Sequence, residues 1–379
     1  MATPTAATET EASTPLEAEI RRRIALAGPI PVRQYMDMCL THPEHGYYTN
    51  ADPLGRDGDF ITSPEVSQVF GELLGLWAAS VWRRMGQPEN VRLVELGPGR
   101  GTMMLDALRA AQVMPAFRAA VVLHLVEISP ALQQRQQQAM ATLDVPAMWH
   151  QTFDEVPDGP VIVLAKELFD ALPVNQAIKQ FNGWYERVVE IGHDGNLAFG
   201  MADEVIPLFE QLVPPSMRDV SIGAVYEWRA DNLPLSLSRR LMHQGGAALV
   251  LDYGHLQSAA GDTLQAVGGH AFVDPLQSPG EVDLTAHVDF QALALTAESM
   301  GARVSGPIEQ GNFLRNLGIE KRAATLKSLA SPEKRAEIDS AVKRLLGEGR
   351  TEMGKLFKAL GIAHPSIGKL PGFEPETFF

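Results

Sequence analysis

The chain has 379 residues, 45% of them hydrophobic, which suits one large elaborated domain or two smaller ones around a sizeable core. Its 32 basic and 46 acidic side chains leave a net charge of −14, which argues against broad nucleic-acid binding but not against a cationic peptide substrate. The lone cysteine, Cys39, rules out an intramolecular disulfide framework, and no apolar run is long enough to cross a bilayer.

The opening residues, MATPTAATETEASTPLEAE, are small, polar and acidic. A transit peptide is Arg-rich and poor in acids, and a signal peptide has an apolar centre. Residues 1–14 therefore read as a disordered tail on a bacterial-type chain with a cytoplasmic address. Pro15–Leu26 reads as a helix stopped by GPIP, and Pro31 starts a second one through Leu40. HPEHGYYTNADPLGRDGDFIT is a long polar loop of the kind that carries function on a rigid scaffold. Ser63 and Pro64 look like an N-cap and first helical residue. From there Val66, Val69, Phe70, Leu73, Leu74 and Trp77 repeat at helical spacing as far as Gly86.

Strands then alternate with helices. The strand candidates are Val91–Leu96, Ala120–Glu127, Val161–Ala165 and Ala247–Asp252, with helices from Thr102 and from Pro130. That alternation predicts an α/β fold, a parallel sheet with helices on both faces. The turn signals Asn182-Gly183 and Asp194-Gly195 predict an inserted antiparallel β-meander. A helix over Phe290–Met300 ends at Gly301, and Asn312–Gly361 reads as mainly helical. The expected organisation is a tail at 1–14 and a helical and loop region at 15–90 that completes the active site. A core follows at 91–310 with an insertion at about 176–243, then a mainly helical region at 311–379.

VRLVELGPGRGTMMLDAL is a strand, a glycine turn and a helix. A dinucleotide fingerprint is G-x-G-x-x-G, with pyrophosphate on the helix N-terminus. Here the third glycine of Gly97, Gly99 and Gly101 comes one residue early, and Glu95 stands before the loop. A carboxylate repels a pyrophosphate and attracts an ammonium. S-adenosyl-L-methionine has an ammonium, a carboxylate and a sulfonium, and no phosphate. The glycines admit close backbone approach, and the helix start at Thr102 favours the ligand's carboxylate. Glu127 ends the next strand, where an acid accepts hydrogen bonds from ribose hydroxyls. Asp154 is placed to meet the adenine amino group, and Asp59 and Thr62 to close over the cofactor. Glu167 and Asp170 leave the end of the following strand and suit a cationic acceptor, and Asp252 and Tyr253 are candidates for lining its pocket. His255, His270 and His287 lack a close pair such as H-E-x-x-H, so no metal site is expected, and the absence of G-x-S-x-G weakens an esterase reading.

Several stretches occurring in order then become familiar: GYYT, GDFITSPEVSQVFGELLG, VELGPGRGTMMLD, KELFDALPVNQ, LDYGH, PGEVDLTAHVDF, QGNFLRNLGI and MGKLFKAL. From about Leu16 to Leu370 the chain resembles the MidA-like family of S-adenosyl-L-methionine-dependent methyltransferases. That family includes a mitochondrial protein arginine methyltransferase that assists assembly of respiratory complex I. The resemblance implies a class I (Rossmann-like) methyltransferase sheet with helical additions and an inserted β-structure. It implies Gly97, Gly99 and Gly101 on the cofactor, Glu127 on its ribose, and KELFDALP at the active-site mouth. The family commonly has Asn where Lys166 stands here, while Glu167, Asp170, Ala171 and Pro173 are retained.

The expected reaction is transfer of a methyl group to an arginine nitrogen of a protein, with a complex I subunit as the partner that the resemblance implies. Glu167 and Asp170 are the candidate catalytic carboxylates, gripping the guanidinium fork. No nucleic-acid partner or membrane insertion is expected, and a homodimer is left open. Three alternatives stand beside this reading: a nicotinamide oxidoreductase, disfavoured by the early third glycine and by Glu95; a small-molecule methyltransferase; and an assembly chaperone that binds the cofactor without turnover.

Overall fold

The structure is a computed structural model that describes residues 14–50, 67–349 and 352–375. The chain divides into two compact units. The larger comprises the described parts of Leu54–Asp170, Asp231–Gln257 and His287–Phe379.

Its sheet has eight strands. Seven are β1 (Val91–Leu96), β2 (Val121–Val126), β3 (Ala147–His150), β4 (Val161–Lys166), β5 (Gly246–His255), β6 (Arg303–Glu309) and β7 (Phe357–Ala363). The eighth, Val288–Asp289, pairs in parallel with the end of β5. The order is β3-β2-β1-β4-β5-β7-β6. Neighbours from β3 to β5 are parallel, and β7 runs antiparallel between β5 and β6. β4 and β7 are buried at every residue, as strands covered on both faces are. The order reverses between β1 and β4, and ligands of open α/β sheets bind beyond the carboxyl ends at such a point.

The main helices of this unit are α1 (Gln68–Arg84), α2 (Thr102–Ala110), α3 (Pro130–Met140), α4 (Asn232–Gln244), α5 (Phe290–Ser299), α6 (Gln310–Asn316), α7 (Ile319–Ser328) and α8 (Pro332–Leu346), with a short helix at Pro115–Ala120 before β2. α1 buries Phe70, Leu73, Leu74 and Trp77, the apolar set seen in the sequence. Its described start is capped by Ser67, whose Oγ accepts from the Val69 N–H at 3.2 Å. The expected cap and first residue, Ser63 and Pro64, lie outside the described residues. Gly75 brings α1 hard against α2: a Cβ there would stand 2.2 Å from the Ala107 carbonyl oxygen.

Parts of this unit differ from expectation, and β6 and the strand Val288–Asp289 were not anticipated. Strand β3 was not anticipated, because its four residues, AMWH, are too short a run to show a period. The stretch read as helical through Gly361 contains three helices and then β7. LFKALGIA is apolar enough for either form, and a continuous buried run has no period to separate them.

The smaller unit comprises the described part of Met1–Pro53 with Ala171–Ala230 and Ser258–Ala286. The meander expected from the two turn signals is present as strands Val174–Gln180, Gly183–Ile191 and Leu197–Val205. Gly195 takes φ +82°, and the Asp194 carboxylate accepts from the Asn196 N–H at 3.0 Å. The excursion ends before Asn232–Gln244, which is α4 of the larger unit. A second excursion, Ser258–Ala286, carries strands Gln265–Gly268, Ala271–Val273 and Asp283–Thr285. Cys39 is fully buried here, and burial pushes its thiol up to about 12, so it is inert.

Candidate active site

The site is built at the carboxyl ends of β1, β2 and β3 and in the turn after β4, all within the larger unit. β1 delivers Glu95 one residue before its end, and the chain then turns through Gly97 (φ +64°), Gly99 (φ +54°) and Gly101 (φ +79°). The turn is closed by the Gly97 N–H on the Val126 carbonyl (3.0 Å) and the Gly101 N–H on the Pro98 carbonyl (2.8 Å). Gly101 is the N-cap of α2 and has no side chain to offer, so the amides of its first turn, from Thr102 on, are left for another acceptor.

Glu95 is buried, and its Oε2 has no hydrogen-bond partner among the described residues. Burial, and then the Glu127 charge, raise its carboxyl to about 8. A buried carboxylate oxygen with no donor fits a ligand that brings a cation. Glu127, also buried, accepts from the Ser129 N–H at 2.8 Å and from Gln136 Nε2 at 3.1 Å. Burial raises its proton affinity, and those two donors and the Ile128 N–H work against the rise. A carboxylate has about four lone-pair sites, so acceptor capacity remains for a hydroxyl. The residues present thus fit the ammonium and ribose of S-adenosyl-L-methionine, with backbone amides at the α2 start for its carboxylate.

Gln136, on α3, was not anticipated. Its Nε2 donates to the Gly99 carbonyl at 2.7 Å as well as to Glu127, and its Oε1 accepts from Trp149 Nε1 at 3.0 Å. One amide therefore joins the glycine loop, the β2 acid and β3. The run QQRQQQ offers no cue that the residue at 136 turns inward, because burial depends on what α3 packs against.

Asp154, expected near an adenine, is exposed in a short 3-10 helix after β3, and its Oδ1 accepts from the Ser236 hydroxyl of α4. Asp59 and Thr62 lie outside the described residues. Across β2 and β3, His124 Nδ1 and His150 Nε2 are 2.9 Å apart with stacked rings. Burial, then the charges of His150, Arg92 and Arg240, push His124 down to about 4. Its folded value lies below the usual 6.5, so the unfolded chain takes up the proton first. The resulting stability is full above 6.5 and is lost as pH falls toward 4. Urea unfolding across this window should show wild type losing stability relative to His124→Gln by about 1.4 kcal/mol per pH unit at the steepest. Parallel curves would remove His124 from the acid limb.

The turn after β4 carries the acceptor candidates. The Glu167 N–H donates to the Leu251 carbonyl at 3.0 Å, and Glu167 itself takes φ +49°. The next three amides converge on Asp252: its Oδ2 accepts from Leu168 (3.1 Å), Phe169 (2.9 Å) and Asp170 (3.3 Å), and its Oδ1 from Tyr253 (2.9 Å). Asp252 is fully buried, so the residue expected to line the acceptor pocket is instead the clamp that shapes this turn. Burial and the Asp170 charge raise its proton affinity, opposed by Lys166 and by the backbone donors. Asp170 is itself buried. Glu167 is ion-paired with Lys166. Tyr253 is half-buried, its ring edge-on to His287 (5.6 Å) and Phe357 (5.5 Å).

Comparison with known proteins finds a matching family and similar chains. The model of a family described as S-adenosyl-L-methionine-dependent methyltransferases matches residues 73–308. A Drosophila melanogaster relative, protein arginine methyltransferase NDUFAF7 homolog, mitochondrial, is 36% identical over 94% of this chain and 87% of its own. The Homo sapiens protein arginine methyltransferase NDUFAF7, mitochondrial, is 37% identical over 83% of this chain and 75% of its own. The crystal structure of a Burkholderia thailandensis protein bound to S-adenosyl-homocysteine superposes with a TM-score of 0.81 at 29% identity, covering 94% of each chain. These relatives correct one expectation: they are named as mitochondrial, which overturns the cytoplasmic address read from the first residues. The composition of a short tail speaks only to an import signal at that point of a chain, not to the compartment in which the folded unit works.

Proposed function

Starting from the fact that this chain belongs to the MidA-like family of S-adenosyl-L-methionine-dependent methyltransferases, we propose that it methylates an arginine side chain of a partner protein. S-adenosyl-L-methionine supplies the electrophilic methyl group, so the chain's own work is to orient, to hold charge and to exclude water. Glu95 takes the ammonium, Glu127 the ribose hydroxyls and the α2 amides the carboxylate. Asp154, Asp59 and Thr62 complete the proposed cofactor set.

The observation that carries the choice of acceptor is the acidic turn after β4. A guanidinium stays protonated, with a pKa above about 12, and its nitrogens are poor nucleophiles. Carboxylates that accept its planar N–H fork draw positive charge toward themselves and away from the nitrogen left outside the fork. Glu167 and Asp170 are the two acids for this role, with Tyr253 beside them. A family of relatives named as protein arginine methyltransferases supports the same acceptor.

The test is methyl incorporation from labelled S-adenosyl-L-methionine, with methylarginine read after hydrolysis. A respiratory complex I subunit is the first acceptor to try, on the family resemblance. Label in arginine supports the reading; saturable cofactor binding with no label in any protein moves the chain to the assembly-chaperone alternative. Glu167→Gln should lower turnover by about a hundredfold and leave cofactor affinity unchanged within about twofold. Equal loss of both would remove Glu167 from the acceptor side.

A further inference from the structure

A lysine stands at the end of β4 in a place that is costly for an ammonium. The Lys166 side chain is 4% exposed. Its Nζ lies 5.9 Å from the Phe70 ring centroid on α1 and 5.1 Å from the Phe357 ring centroid at the start of β7. An ammonium taken out of water needs close opposite charge and favours aromatic faces, and Lys166 has both. The next residue, Glu167, is an ion-pair partner of it.

The backbone around Glu167 is held on both sides. Its own N–H is bonded to Leu251, and the three amides that follow are gathered by Asp252. The left-handed φ of Glu167 survives because this surrounding frame over-determines it. With the backbone set, the remaining freedom of Glu167 lies in its side chain, and Lys166 grips that end.

We propose that Lys166 is a positioning residue of the acceptor site: it holds the Glu167 carboxylate ionised and in one orientation, ready to receive a cationic acceptor. The proposal rests on the reading of Glu167 as an acceptor-facing acid. The charged groups near Lys166 are Asp252 on β5 and Asp170 in the same turn; the Asp252 carboxyl feels both the Lys166 and the Asp170 charges. From α1 the facing group is the uncharged Phe70 ring, and the titratable Tyr253 packs on the Phe357 ring. Lys166, the opposite charge paired with it, favours the ionised form of Glu167. A protonated Glu167 has lost the charge that draws an arginine fork. Lys166 therefore sets the pH below which the site stops gripping its acceptor.

Lys166→Met keeps an unbranched stem between the two rings and removes the charge; Lys166→Arg restores the charge. Two readouts are made on the full chain. The first is the carboxyl titration of Glu167 by ¹³C NMR in glutamate-labelled protein, with Glu167→Gln identifying the resonance. The second is the pH profile of methyl transfer to an arginine-bearing protein. Lys166→Met should raise the Glu167 midpoint by at least about one unit and move the acid limb of kcat/KM by the same amount. Affinity for S-adenosyl-L-methionine should stay within about twofold. Lys166→Arg should bring both midpoints back toward wild type. An unchanged Glu167 midpoint in Lys166→Met, or an equal loss in both variants at every pH, would overturn the proposal. A shifted midpoint without a shifted acid limb, or with no arginine methylation by wild type, would uphold the grip on Glu167 and overturn the acceptor reading.

Discussion

Gly99→Val should abolish saturable S-adenosyl-L-methionine binding while leaving the sheet folded. Gly99 sits at φ +54°, where a β-branched residue is strained by about 1–3 kcal/mol. The loop can relieve that strain only by moving, and its ends are tied to Val126 and Pro98 by backbone bonds. The movement falls on the Gly99 carbonyl, which Gln136 holds at 2.7 Å together with Glu127 and Trp149. The variant also adds three carbons where the backbone has to approach a ligand. A loss of at least a hundredfold, about 2.7 kcal/mol, is the expected calorimetric result. Thermal unfolding run in parallel should still show one cooperative transition. NAD should not bind wild type saturably. Undiminished affinity in Gly99→Val would take the loop out of the cofactor site.

Binding of S-adenosyl-L-methionine should also release a proton near neutral pH. In the unliganded protein the Glu95 carboxyl is raised to about 8, so at pH 7 it is mainly the neutral acid. A ligand α-ammonium, with a pKa near 7.7–8.0, is then mainly charged. The ion pair requires the carboxylate, so the proton leaves. Calorimetry in two buffers of different ionisation enthalpy should report about 0.8 proton lost at pH 7. The number should fall to zero near pH 8 and reverse above it, where Glu95 is already ionised and the amine is neutral. Glu95→Gln should show no release and bind at least about tenfold more weakly, a change of 1.4 kcal/mol.

The same residue has a signature in stability. Its folded value lies above the ordinary 4.5, so the folded state holds the proton more tightly. The contribution is full below 4.5 and is lost as pH rises toward 8, by about 1.4 kcal/mol per unit at the steepest. The difference between wild type and Glu95→Gln isolates it. No proton release from wild type at pH 7 would mean that Glu95 does not face the ligand's cation.

The sequence by itself determined the parts of this protein that local spacing encodes. The early third glycine and Glu95 separate this loop from a dinucleotide fingerprint without any structure. Glu127 at the next strand end, the β–α alternation and the turns at Asn182-Gly183 and Asp194-Gly195 follow from residues close together in the chain. Their chemistry is a matter of φ preference and side-chain type, which a short stretch carries alone.

The tertiary structure decided everything that depends on burial and on residues distant in sequence. β7 is a strand because β5 and β6 flank it and bury every residue, whereas its apolar run alone has no period. Gln136 matters because α3 turns it toward Gly99 and Trp149. Asp252 is a clamp because β5, paired with β4, brings it to the amides of the turn that follows β4. Lys166 comes to lie between the Phe70 and Phe357 rings, from α1 and β7, only in the folded chain. Glu95 holds a proton at neutral pH because the fold strips it of water and sets it near Glu127. Desolvation and electrostatic coupling belong to positions in space, and the order of residues along a chain does not state them.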